Sequence, residues 1–335
     1  MAGPFHLYGL CTAAAALLAL GLMQFTRKKH DLSNEAVSWF AVLCMPLGVF
    51  FARLGYFLAR LNYFREKGLA YFFRFDLGGY VLYGALLGVL LAACLSARIT
   101  RTPVSRVLDG AAGPGMIAVC CCRMAESLVR LGDGLSISEW FGDPILLELD
   151  PSTRLPSSFA WADPSPLFRF PLACQPKGSE WYFAVFFWEA LAALIIALIV
   201  LLMKRRAEGG HAALAVLLYA ACQILMESMR KDAVLTWGFV KVSQLLSAVA
   251  IGAVMLICCI RLPRAERKRG RIAAVWASVL LLLGVVIALE FALDEKIAFL
   301  AWMHMDVCYL GIGLCCLGII LTVRPLWKRA FPKKQ

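Results

Sequence analysis

Charge is scarce in this sequence: 17% of its residues are Asp, Glu, Lys or Arg, against 61% apolar ones. Soluble domains carry about a quarter charged residues, so a water-soluble fold is excluded. Internal repeats and low-complexity tracts are also missing, which argues against a transporter built from inverted repeats. No basic residue precedes the first apolar stretch, so that stretch is read as a span and not as a cleaved signal peptide. A disulfide framework is lacking as well. Of 13 cysteines, only Cys174 lies in a polar connection, where it has no evident partner. The others, including the run Cys120, Cys121 and Cys122, sit in apolar stretches and read as small buried hydrophobes, with no convincing metal-ligand spacing.

What the chain has instead is long apolar runs, with a mean hydropathy of +0.75. About 20 apolar residues cross a bilayer. Nine such stretches can be drawn, roughly 6–25, 37–61, 78–97, 107–130, 181–203, 211–230, 238–260, 271–292 and 298–322. Backbone in lipid must satisfy its own hydrogen bonds, so the expected class is all-α: a polytopic transmembrane helix bundle.

The net charge of +12 does not point to nucleic acid, because of where the basic residues fall. Alternate connections hold Arg27, Lys28 and Lys29, then Arg98, Arg101 and Arg106, then Lys204, Arg205 and Arg206, then the run from Arg261 to Arg271, then the tail from Arg324 to Lys334. Together these are 20 of the 34 Lys and Arg residues. By the positive-inside rule the N-terminus is expected outside and the C-terminus in the cytoplasm. The longest connection, 131–180, then becomes a small extracytoplasmic head loop holding seven of the 14 prolines. A basic hinge near Arg264 to Arg271 marks the expected boundary between a seven-span core, 1–260, and two further spans with a basic cytoplasmic tail, 261–335.

Polar residues recur at helical spacing toward one end of these spans. Arg53, Tyr56 and Arg60 follow 3- and 4-residue steps, as do Arg123, Glu126 and Arg130, and Gln223, Glu227 and Arg230. With the topology above, Tyr8, Tyr80, Tyr83, Glu189, Lys241 and Gln244 reach the same outer third. Arg60, Arg130 and Lys241 have a plain explanation in snorkelling to the headgroups. Arg53, Arg123, Glu126, Glu189 and Glu227 lie deeper and need partners of opposite sign. A cluster of guanidiniums with a few carboxylates suits a phospholipid headgroup, since the guanidinium fork binds phosphate bidentately. Gly84 and Gly88 form a small-residue step for close helix packing. Glu290, His304 and Asp306 lie toward the outside end of the last two spans, with His304 and Asp306 expected as a structural pair.

Several segments together resemble the prolipoprotein diacylglyceryl transferases. They are Tyr8-Gly9-Leu10, Arg53-Leu-Gly55-Tyr56, Asp76-Leu-Gly78-Gly79 running on to Tyr83-Gly84 and Gly88, Arg123, Glu189, Tyr219-Ala-Ala-Cys-Gln223 running on to Glu227 and Arg230, and Ser243-Gln244-Leu-Leu-Ser247. The likeness spans residues 1 to about 260. It implies a multi-pass enzyme of the bacterial inner membrane, without metal or soluble cofactor, acting on the extracytoplasmic side. The implied reaction moves diacylglyceryl from phosphatidylglycerol to the lipobox cysteine thiol of a prolipoprotein signal peptide and releases glycerol 1-phosphate. Arg53, Arg123 and Arg230 are the candidates for holding the phosphate, with Tyr8, Gln223, Glu189 and Gln244 around it. Glu126 or Glu227 is the candidate base, and Tyr83 a candidate donor. The family pattern has histidine at the position of Tyr83 and arginine at that of Gln223, and its Gly-Asn-Phe run after Arg123 is replaced here. An alternative expectation is therefore a catalytically impaired member that binds phospholipid without turnover.

Overall fold

The computed structural model describes residues 4–75, 79–126, 133–136, 173–174, 182–230, 236–237, 240–293 and 303–333. Most of the expected head loop, together with Asp76, Gly78 and Arg130, lies outside the described residues. Among the described residues, nine helices are long and apolar enough to cross a membrane. They are α1 (Pro4–Thr26, continued by a 3-10 turn to His30), α2 (Asn34–Ala59), α4 (Leu82–Ile99), α5 (Val104–Glu126), α6 (Val185–Leu202), α7 (Gly210–Met229), α8 (Val242–Arg261), α9 (Arg269–Leu293) and α10 (Met305–Ala330). A short α3 (Leu61–Lys67) and a 3-10 segment (Leu69–Phe73) link α2 to α4.

The spans differ from the sequence expectation mostly at their ends. Helix α4 begins at Leu82 and not at 78, because glycine-rich backbone with Gly79 at φ +76° precedes it. The last helix is displaced most, running Met305–Ala330 where 298–322 was expected. Arg324, Lys328 and Arg329 are thus helical, and the latter two sit in the last turn, where the helix dipole favours positive charge. At the start of α2, Ser33 Oγ accepts from Ala36 N at 3.1 Å and Glu35 occupies the first turn.

Two small antiparallel ribbons accompany the helices. Strands β1 (Asp133–Ser136), β2 (Ala173–Cys174) and β3 (Tyr182–Ala184) form a sheet in the order β1-β3-β2, and β3 runs directly into α6. The pair β4 (Thr236–Trp237) and β5 (Val240–Lys241) leads into α8.

Packing joins the spans in overlapping groups. Helices α1, α2, α4 and α5 share one apolar core around Met23, Phe40, Ala93 and Val107. A Cβ on Gly84 would collide with the Phe51 carbonyl and one on Gly88 with that of Leu47, so the small-residue step of α4 lies directly on the α2 backbone. Helices α5, α6 and α7 meet around Met116, Ile196 and Tyr219. The largest core unites α7 and α8 with α9 and α10 through Leu217, Ile251, Val286 and Ile312. The last two spans therefore bury one apolar interior in common with the seventh and eighth helices. Beyond α10, Phe331 O accepts from Arg206 Nη1 at 2.8 Å and Pro332 O from Ala207 N at 2.9 Å, tying the C-terminal end to the α6–α7 connection.

Candidate active site

The polar residues converge where α5 and α7 end and α6 and α8 begin. Arg123 and Glu126 stand one turn apart in the last turns of α5, and Arg123 Nη1 donates to Glu126 Oε1 at 2.6 Å. Glu189 enters from the second turn of α6 and is 1% exposed. Its Oε2 lies 3.1 Å from Nε of Arg123 and 3.4 Å from Nη1 of Arg230. On α7, Tyr219, Gln223 and Glu227 follow four-residue steps and line one face. Tyr219 Oη accepts from Arg123 Nη2 at 3.3 Å, while Gln223 Nε2 bridges Glu189 Oε1 at 3.0 Å and Glu227 Oε2 at 3.1 Å. Arg230 follows the last residue of α7 in extended backbone, which turns its side chain back so that Nη1 also stands 3.5 Å from Glu126 Oε2. Despite that charge contact, Glu126 Oε2 has no hydrogen-bond partner among the described residues.

By formal count, two guanidiniums face three carboxylates within one buried ring of contacts. Removing a single partner from such a ring strands an opposite charge in low dielectric, at a cost of about 3–5 kcal/mol. The arrangement can exchange one anionic partner for another, because the guanidinium fork accommodates phosphate in the same bidentate way as carboxylate.

Two further predicted residues border the ring. Tyr8 of α1 lies within electrostatic range of Glu126, Arg123 and Arg230. Tyr83, in the first turn of α4, lies in range of Arg123, Glu189 and Glu227. Its hydroxyl pairs with Ser247 Oγ, whose own hydrogen goes to the Ser243 carbonyl at 2.7 Å. That pair holds the Tyr83 hydroxyl beside the ring.

Two predicted site residues, Arg53 and Gln244, are placed elsewhere. The convergence expected of Arg53, Arg123 and Arg230 is realised for the latter two. Arg53 is buried against the segment before α4, donating to the carbonyls of Phe72 at 3.1 Å, Tyr71 at 3.0 Å, Arg74 at 3.1 Å and Gly79 at 3.4 Å, with the Phe64 ring 5.4 Å away. Gln244 Nε2 donates to the Ile224 carbonyl at 3.2 Å and to Glu290 Oε1 at 2.6 Å, so it joins α7, α8 and α9. Lys241, expected to snorkel, caps the end of α7 through the carbonyls of Glu227 at 2.8 Å and Ser228 at 3.1 Å. Tyr219 stands in a segment that carries the resemblance but is not among the expected site residues, although its spacing to Gln223 and Glu227 carries the signal.

A model of the prolipoprotein diacylglyceryl transferase family matches residues 2–260. The chain is 24% identical over 246 residues to a phosphatidylglycerol–prolipoprotein diacylglyceryl transferase of Listeria monocytogenes serotype 4a, covering 73% of this chain and 81% of that one. It is 25% identical over 269 residues to the same-named protein of Symbiobacterium thermophilum, covering 78% and 91%. To that of Acaryochloris marina it is 28% identical over 257 residues, covering 74% and 84%. All the residues of the buried ring fall inside the matched segment, and the chain belongs to the prolipoprotein diacylglyceryl transferase family.

Proposed function

We propose that this protein transfers the diacylglyceryl group of phosphatidylglycerol to the lipobox cysteine of a prolipoprotein, in a bacterial inner membrane and on its extracytoplasmic side. Arg123 and Arg230 hold the phosphate, which displaces their carboxylate partners on binding. The cysteine sulfur attacks the glycerol carbon bearing that phosphate. A C–S bond forms as the C–O bond to phosphate breaks, and glycerol 1-phosphate leaves. Negative charge gathering on the departing phosphate is met by guanidiniums already in place, so little reorganisation is needed at the transition state. The thiol must lose its proton to become a nucleophile, and Glu126, whose Oε2 has no hydrogen bond among the described residues, takes it. Until the phosphate binds, Glu189 and Glu227 hold the arginines and Gln223 in place; Tyr83 and Tyr8 face the bound phosphate from α4 and α1.

The observation that supports this most directly is the meeting of Arg123 and Arg230 on one oxygen of Glu189. Vesicles of phosphatidylglycerol containing the purified protein, given a peptide with a lipobox cysteine, supply the test. Mass spectrometry should find the peptide carrying diacylglyceryl with wild type, and at least about 100-fold less with Arg123→Ala. Lipid retained by the wild-type protein with no modified peptide would leave only a phospholipid-binding role.

A further inference from the structure

At the opposite end of α5 lies a second constellation that the transfer reaction does not use. Asp109 sits one turn into α5 and Arg123 near its end, so the two sites are about 21 Å apart along the helix at 1.5 Å per residue. Asp109 meets His30, from the turn after α1, and His211, from the first turn of α7. One ligand atom from each residue lies within 4.8 Å of the other two. The imidazole rings of His30 and His211 stand edge to face, with centroids 5.0 Å apart. A cavity of about 10 Å³ opens on them, room for one water-sized occupant.

His211 supplies the independent evidence. It is 1% exposed; neither Nδ1 nor Nε2 has a well-formed hydrogen bond among the described residues, and the Met203 backbone lies close enough to take the N–H of one of them, which leaves the other nitrogen's lone pair. A buried imidazole lone pair without a partner is costly, and a ligand there removes that cost. The basic residues lining the cavity have other acceptors: Lys29 reaches the Leu201 carbonyl, Arg106 pairs with Glu208 at 2.7 Å, Arg205 pairs with Asp31, and Arg206 lies over Trp327 and donates to Phe331 O. The carboxylate of Asp109 is held by the backbone N–H groups of Gly209 at 2.7 Å and Ala212 at 2.9 Å, the kind of outer support that aims a ligating group.

We propose that His30, Asp109 and His211 bind one divalent transition-metal ion. Two imidazoles and a carboxylate favour zinc-like ions over magnesium or calcium, and three protein ligands leave a position for water. The ion fastens the turn after α1, the start of α5 and the start of α7 to one another, and stabilises the bundle at the end away from the transfer site.

The test uses the full chain, purified in detergent without a polyhistidine tag, stripped with a chelator and then given Zn²⁺ or Co²⁺. Wild type should retain about one equivalent of Zn²⁺, show visible Co²⁺ absorption bands and melt at a higher temperature with metal than without. His211→Ala and His30→Ala should each lose affinity by more than the roughly 10–100-fold that loss of an outer-shell partner costs, while His304→Ala should bind as wild type. His30 is only half-buried, so its variant keeps the test open if His211→Ala does not fold. Wild type retaining no Zn²⁺, or both histidine variants retaining it as wild type does, overturns the site.

Discussion

Arg123 and Arg230, one from the end of α5 and the other just past the end of α7, meet on a single oxygen atom, Oε2 of Glu189. Two like charges are held together in a buried place because carboxylates stand between them, Glu189 and also Glu126, which lies 2.6 Å from Arg123 and 3.5 Å from Arg230. Glu189→Gln keeps the size and one hydrogen-bond acceptor but removes the Glu189 charge. The variant should lose about 3 kcal/mol of stability, read as a lowered melting temperature in detergent, and its phosphatidylglycerol transfer should fall with it. Anionic lipid added in excess should restore part of the melting temperature, since phosphate can take the missing carboxylate's place. An unchanged melting temperature would show that the arginines are not held by Glu189.

Glu126 has a divided environment. Its Oε1 is bound by Arg123 at 2.6 Å, while its Oε2, 3.5 Å from Arg230 Nη1, has no hydrogen-bond partner among the described residues and is the oxygen proposed to take the thiol proton. Glu126→Gln should lower kcat by roughly 100-fold or more and leave the KM for phosphatidylglycerol within a few-fold of wild type, because proton transfer and not lipid binding is what it removes. Steady-state kinetics with lipobox peptide and lipid vesicles would decide. A rise in KM with kcat intact would reassign Glu126 to binding.

Arg53 separates a structural role from a chemical one. Its guanidinium serves several carbonyls between Tyr71 and Gly79, a task that the single ammonium of lysine cannot repeat. Arg53→Lys should expose the 69–75 segment to limited proteolysis while lipid affinity changes little. Resistance equal to wild type together with weakened lipid binding would return Arg53 to the phosphate site.

These cases show what the sequence makes legible. Spans of about 20 apolar residues announce themselves by length alone, and the recurrence of Arg123, Glu126, Glu189, Gln223, Glu227 and Arg230 at helical steps and common depth located the ring. Arg53 has the same spacing, yet the partners described for it are backbone carbonyls of a non-periodic segment, which side-chain patterns do not encode. Lys241 and Gln244 likewise bind carbonyls at helix ends and between helices. The grouping of His30, Asp109 and His211 draws on a turn and two helix starts, so no spacing along the chain could announce it. The limits of the last span were misplaced because its apolar run continues past Pro325 into a basic turn, where lysine and arginine stabilise a helix end as readily as they mark a cytoplasmic tail.

Gln223 offers a gain-of-function test. Its amide nitrogen serves two carboxylates, Glu189 and Glu227, but its oxygen Oε1 has no partner among the described residues. The position therefore asks for donors and has nothing to give an acceptor. Arginine, the residue that the resemblance implies for the family here, carries donors alone and adds the positive charge that the ring of two guanidiniums and three carboxylates lacks. Gln223→Arg should raise the melting temperature, lower the KM for phosphatidylglycerol several-fold and steepen its dependence on salt. Crowding could offset the gain, since guanidinium is larger than the amide, so Gln223→Leu serves as the reference: it should destabilise by leaving both carboxylates short of a donor, at about 1–3 kcal/mol each. Should Gln223→Arg bind lipid more weakly than Gln223→Leu, positive charge at this position is not what the phosphate requires.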